Sequence, residues 1–260
     1  MELYFSLISD IGSKRKSNQD SAAAMTADTI IGKVFFGVVC DGMGGYSEGE
    51  VASATVVTRL ADWFRHRLPM VIFNMAGSDR MVNTIVRQWE MIVNQCSDEI
   101  MAYGAEKGIK LGTTCTCLLI APMWYCLFHV GDTRIYYVSR EAVTLVTEDH
   151  TVAGRELREN KITPEEVENH PGGHVLTQGV GMSKVLVPQL SYGSLEPDSV
   201  FVICSDGFRH KLDENRLFEY FNNANESPEI YMDCLSANII SENMRLGESD
   251  NMTVIAVKVE

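Results

Sequence analysis

The chain has 260 residues, 45% of them hydrophobic, enough to build a sizeable core in one large unit. Acids outnumber bases by 35 to 22, for a formal charge of −13, which disfavours a nucleic-acid partner held through its phosphates. Apolar runs stop well short of the ~20 residues of a membrane helix, and no basic region precedes an apolar one at the N-terminus, so a cytoplasmic chain without membrane association is expected.

In chain order, residues 3–9 and 34–40 read as strands, being rich in Val, Ile, Phe and Tyr. Helical periodicity covers 48–67 and 80–107. In the second, Val82, Ile85, Val86, Trp89, Ile92, Val93 and Ile100 recur at three- and four-residue spacing. Strand-like segments follow at 114–120, 124–130 and 134–139, then at 186–193 and 200–204. A helix at 228–246 and a last strand at 252–259 complete the chain. Strands do not alternate one-for-one with helices. The expectation is therefore α+β, with largely antiparallel sheets covered by helices in a single unit spanning 1–260. The polar stretch 147–174 reads as a surface insertion with short helices.

Seven cysteines, an odd number, include Cys40, Cys115, Cys117, Cys126 and Cys204 inside apolar runs, where reduced core thiols are expected. No C-x-x-C pair occurs. No cysteine has the arginine six positions later that a covalent tyrosine-phosphatase mechanism requires.

The runs "KVFFGVVCDG" and "SVFVICSDG" each read as a buried strand ending in an acid, Asp41 and Asp206. Asp250 directly precedes the last strand, and Asp132 lies between two others. Any one of them is an ordinary turn residue beside glycine. Four carboxylates brought together repel unless a cation shares them, and hard divalent ions such as Mg²⁺ or Mn²⁺ take such oxygen ligands. Gly42, Gly44 and Gly45 would let backbone groups approach an ion or phosphate closely. In "DIGSKRKSNQDS", Lys14 and Lys16 read as a solvated basic patch. Arg15 has the planar fork that grips a phosphate.

Eight motifs together carry a resemblance over nearly the whole chain: "RKSNQD" (15–20), "DGMGG" (41–45), "GTT" (112–114), "GDTR" (131–134), "EDH" (148–150), "LTQGVG" (176–181), "CSDG" (204–207) and "SDNMT" (249–253). In this order they resemble the magnesium- or manganese-dependent serine/threonine protein phosphatases of type 2C, in their bacterial form. The resemblance implies a four-layer αββα sandwich, two antiparallel sheets flanked by helices. It also implies hydrolysis of phosphoserine and phosphothreonine in proteins by a water bridging two metal ions, Mn²⁺ or Mg²⁺, with a third position beside them. Asp41 looks like the bridging acid, with the Gly42 carbonyl on one ion and Asp206 and Asp250 on the other. Asp132 with Asp206 resembles the acid pair of the third position. Arg15 resembles the phosphate-binding arginine, and Asp20 an acid that orients the attacking water. Residues 147–174 match the family's flap. A monomer acting opposite a cognate serine/threonine kinase is implied as well.

The chain departs from the pattern at Gln19, where some members carry an acid, at Met43, where others carry a histidine, and at Gln178, where a basic residue is common. The alternative is a phosphatase-like module that binds phosphoproteins without cleaving them, which would call for a lost ligand. Phosphoaspartate (D-x-D-x-T) and P-loop signatures are absent. His129, His150, His170 and His174 form no H-E-x-x-H pair and read as surface or structural. Trp63, Phe64, Trp89 and Trp124 read as core.

Overall fold

The computed structural model describes residues 1–44, 48–78, 80–167, 169–222 and 228–260. Gly45, assigned above to a metal- or phosphate-approaching turn, lies outside the described residues. Two antiparallel sheets form the centre. The first runs β1 (Leu3–Asp10), β11 (Met252–Val259), β10 (Ser199–Cys204), β7 (Arg134–Val138), β8 (Val143–Leu145). The second runs β2 (Asp20–Thr29), β3 (Gly32–Gly44), β5 (Cys115–Ala121), β6 (Trp124–Val130), β9 (Gln189–Ser194), with the short β4 (Leu111–Thr113) pairing to β3.

The continuous apolar strands follow from burial on both faces. In β3, Val34, Phe36, Val38 and Cys40 face helices α1 (Gly49–His66), α2 (Leu68–Met75) and α3 (Met81–Lys107), while Phe35 and Val39 face the other sheet. The same alternation holds on the first sheet. There Val202, Cys204, Val254 and Ala256 pack against α7 (Glu214–Asn222) and α8 (Pro228–Arg245), and Phe201, Ile203, Ile255 and Val257 fill the space between sheets. Three apolar layers thus hold four structural layers together, and each buried large side chain contributes about 1.5–3 kcal/mol. The αββα sandwich expected from the sequence is the fold.

Trp63, Phe64 and Trp89 surround Phe36, with ring centroids 5.6–5.9 Å away, and Trp124 packs partly buried against the same layer. The helix read at 48–67 is α1, and Leu68-Pro69 starts the separate α2 directly behind it. Strand β2 and helix α7 have no counterpart in the sequence reading. Cys40, Cys96, Cys115, Cys117, Cys126 and Cys204 are buried free thiols, and Cys234 is exposed. Among the described residues, no helix is long and apolar enough to cross a membrane.

The stretch 147–174 carries α4 (Val152–Arg158) and α5 (Pro164–Val167), two short helices as anticipated. Thr151 caps α4 by accepting the Gly154 amide on its hydroxyl, at 3.0 Å. Its base is anchored to the sandwich by Arg134, which donates twice to the Asp149 carboxylate at 2.9 and 2.8 Å.

Candidate active site

Antiparallel pairing decides which acids meet. Because β10 and β11 run in opposite directions, Asp206, just past the end of β10, and Asp250, just ahead of β11, emerge at the same end of the first sheet. Asp41 arrives from the far end of β3 in the second sheet. Asp132 sits in the turn that carries the chain from β6 in one sheet to β7 in the other. All four line one cavity of about 460 Å³, together with Arg15, Gly42, Met43, Gln19, His174 and His210. The structure therefore brings Arg15, Asp41, Gly42, Asp132, Asp206 and Asp250 to one cavity, while Asp20 lies one step behind the wall.

Asp20 is directly opposite Asp41 in the β2–β3 register. It is 7% exposed, its Oδ2 accepts the Ser205 hydroxyl at 2.8 Å, and its buried Oδ1 has no partner. Burial pushes its carboxyl up to about 6, opposed by hydroxyl hydrogen bonds and reinforced by Asp206 and Asp250. Burial likewise holds Asp41 well above the usual range, and the charges of Asp20, Asp206, Asp132 and Asp250 add to it. Asp132 is pushed up to about 7 by burial first and Asp206 second, with Arg209 opposing.

Asp41 and Asp132, which resist ionising through burial first and neighbouring acids second, an orphaned buried oxygen on Asp20, and the oxygen donors around Asp41 fit a hard divalent cation, which supplies the charge they lack. Gly42 contributes by close approach: a Cβ there would lie 2.3 Å from the Gly49 carbonyl and 2.5 Å from that of Gln19. Only glycine lets the end of β3, the start of α1 and the Gln19 loop converge.

Arg15 donates to Asp250 Oδ2 at 2.6 Å and is half exposed, so its guanidinium stands at the mouth of the cavity. Its loop is seated by Gly12, whose φ of +76° and position against the Asp250 carbonyl leave no room for a side chain. Asn251 completes that seat. Its amide donates to the carbonyls of Ile11 and Ser17 at 2.8 and 3.1 Å, and its Oδ1 accepts the Gln19 amide at 2.9 Å.

Behind Asp41 a hydroxyl relay fixes the backbone. The Thr114 hydroxyl accepts the Asp41 amide at 2.8 Å and the Thr133 hydroxyl at 2.5 Å, while the Thr113 hydroxyl donates to the Asp41 carbonyl at 2.9 Å. Asn251, Thr113, Thr114, Ser205 and His210 received no role from sequence, although the first four lie in or beside motifs quoted above. Gln178 is now explained: its amide oxygen accepts the Val187 N–H at 2.9 Å and its nitrogen donates to the Val187 carbonyl at 2.8 Å. His150 is structural, with Nδ1 accepting the Gly131 amide at 3.1 Å, and the fully buried His129 bonds Thr116 at 2.8 Å. His174, by contrast, lies on the cavity wall.

The family model described as "Protein phosphatase 2C" matches residues 12–241. The protein phosphatase PhpP of Streptococcus pneumoniae is 30% identical over 216 residues, 80% of this chain and 79% of that protein. Among solved structures, the serine/threonine phosphatase of S. agalactiae superposes with a TM-score of 0.81 at 27% identity, covering 100% of both chains. The catalytic domain of the serine/threonine protein phosphatase PstP, in complex with two manganese ions, superposes at 0.77 with 26% identity, covering 99% of both. With a match this long, a shared architecture and the acids gathered at one end of it, the chain belongs to the protein phosphatase 2C family.

Proposed function

We propose that this chain is a metal-dependent protein phosphatase that hydrolyses phosphoserine and phosphothreonine, with Asp41, Gly42, Asp206 and Asp250 holding two divalent cations. The single observation that carries the reading is the convergence of Asp41, Asp132, Asp206 and Asp250 with Arg15 on one cavity. Mn²⁺ or Mg²⁺ suits the donor set, and two such ions when bound would supply an activated water and neutralise phosphoryl oxygens.

The chain's own part is orientation and charge. Asp41 is aimed by the threonine relay, and its high proton affinity falls once cations share its field. Asp20, paired with it and anchored by Ser205, accepts and holds a proton close to the acid cluster. Arg15 exchanges its exposed ion pair with Asp250 for two hydrogen bonds to the substrate phosphate. Asp132 with Asp206 forms the weaker third position, and the flap contacts the peptide flanking the phosphorylated residue.

A cytoplasmic, monomeric enzyme working opposite a serine/threonine kinase belongs to the same reading. Nothing in the cavity favours the non-catalytic alternative, because none of the acids it would have to lose is missing. The test is hydrolysis of a phosphothreonine peptide with added Mn²⁺ and its arrest by a chelator. Tight peptide binding without phosphate release in Mn²⁺ would refute the enzyme reading.

A further inference from the structure

The flap and the end of the first sheet meet at three side chains that the hydrolytic reading leaves only partly used. His174 comes from the flap, Asp206 opens the short helix α6 (Asp206–Arg209), and His210 follows it. One nitrogen from each ring and one Asp206 oxygen lie within 4.8 Å of one another, and the two rings stand edge to face at 5.3 Å.

Glu248 fixes how the His210 ring is turned. Its Oε1 accepts the amides of Ser249 and Asp250 at 2.6 and 2.9 Å, which holds this buried carboxylate in place. Its Oε2 then lies 3.2 Å from His210 Nδ1, so Nδ1 carries the proton and donates it. His210 Nε2 lies 3.5 Å from Asp206 Oδ2. A carboxylate behind an imidazole, with the other nitrogen directed at a shared centre, is the support a metal-ligating histidine has.

Two imidazoles and one carboxylate differ from the all-oxygen set around Asp41. Imidazole suits zinc and its transition-metal neighbours, whereas Mg²⁺ takes oxygen. We propose that His174, Asp206 and His210 form a separate site for a zinc-type divalent cation, which straps the flap to the end of β10. The site rests on the proposed function in one respect: Asp206 is also a ligand of the hydrolytic centre, so zinc held here draws on a carboxylate that centre needs and inhibits it.

The experiment measures zinc retained in the presence of excess Mg²⁺ by the wild-type protein and by Asp41→Asn, His174→Ala and His210→Asn. Asparagine at 210 keeps a donor for Glu248 and removes only the nitrogen facing Asp206, and His174 is exposed. Wild type and Asp41→Asn should each retain one equivalent, while the two histidine variants lose roughly 10–100-fold in zinc affinity. Trypsin cutting after Arg155, Arg158 and Lys161 in the flap should slow with zinc in wild type and not in His174→Ala.

Undiminished zinc affinity in both histidine variants would overturn the proposal and leave His210 as an imidazolium bridging Glu248 and Asp206. Zinc lost in Asp41→Asn but kept by the histidine variants would overturn it too, placing zinc among the aspartates. These readouts involve no turnover, so failure of phosphopeptide hydrolysis with Mn²⁺ would refute the proposed function and leave the zinc result standing.

Discussion

Asp20 and Asp41 are paired across the β2–β3 ladder, one with a buried oxygen lacking a partner and the other lining the cavity. Two acids so placed divide the work, since only one of them can reach a ligand in the cavity.

Asp41→Asn and Asp206→Asn should therefore abolish turnover, with kcat falling by roughly a thousand-fold or more, about 4 kcal/mol. Asp20→Asn keeps an acceptor for Ser205 and should lose less, roughly 10–100-fold, with a shifted Mn²⁺ requirement. Steady-state kinetics across a Mn²⁺ titration separate the two classes. Full activity in Asp206→Asn would show that the acid cluster has been assigned the wrong role.

A pH effect on stability follows from Asp132, whose carboxyl is pushed from 3.8 to about 7. In the metal-free protein the folded state holds this proton where the unfolded state releases it. Stability from this group therefore declines as pH rises from about 4 and levels off above about 7. Asn does not titrate, so the Tm difference between Asp132→Asn and wild type should grow from pH 4.5 to pH 7.5. Buried His129 and His150, held down at about 3 and about 4, have the opposite slope but are common to both proteins and cancel in the difference. Added Mn²⁺ should raise the wild-type Tm more at pH 7.5 than at 4.5. A Tm difference that is flat with pH would contradict the burial argument.

Asn251 touches three backbone groups of the Arg15 loop, and Asn251→Ala leaves them without their side-chain partner. A stability loss on the order of 1–3 kcal/mol is expected by urea denaturation. KM for a phosphopeptide should rise as well, because Arg15 is no longer held at the cavity mouth. An unchanged KM would mean that the loop keeps its place without this side chain.

Trimming residues 155–170 should change selectivity among phosphopeptides more than the hydrolysis of a small aryl phosphate, because α4 and α5 lie outside the sandwich that carries the acids. Comparing kcat/KM for both substrates checks this. Equal losses on the two would make the segment a structural support.

Much of the architecture was legible locally. The strands that deliver Asp41 and Asp206 are apolar on both faces because sheets and helices cover them, although β3 runs on to Gly44 and Asp206 opens α6; the face of α3 carries Ile85, Trp89, Val93 and Ile100 at helical spacing. β2 is not legible in the sequence because "DSAAAMTADT" is alanine-rich and its residues are mostly half buried at a sheet edge; pairing with β3 along its length makes it a strand. α7 is not legible either, because Leu217 and Phe221 are its whole fully buried face, too short a pattern to show a period.

Local chemistry in the chain determined the acids, the glycines and the arginine, since an apolar run followed by a carboxylate is written in consecutive residues. Only the tertiary structure decided that Asp20 stands behind Asp41, that Asn251 seats the Arg15 loop, and that His174 meets His210. Those contacts join segments far apart in sequence, and their geometry is set by strand register and sheet packing, which no local pattern encodes.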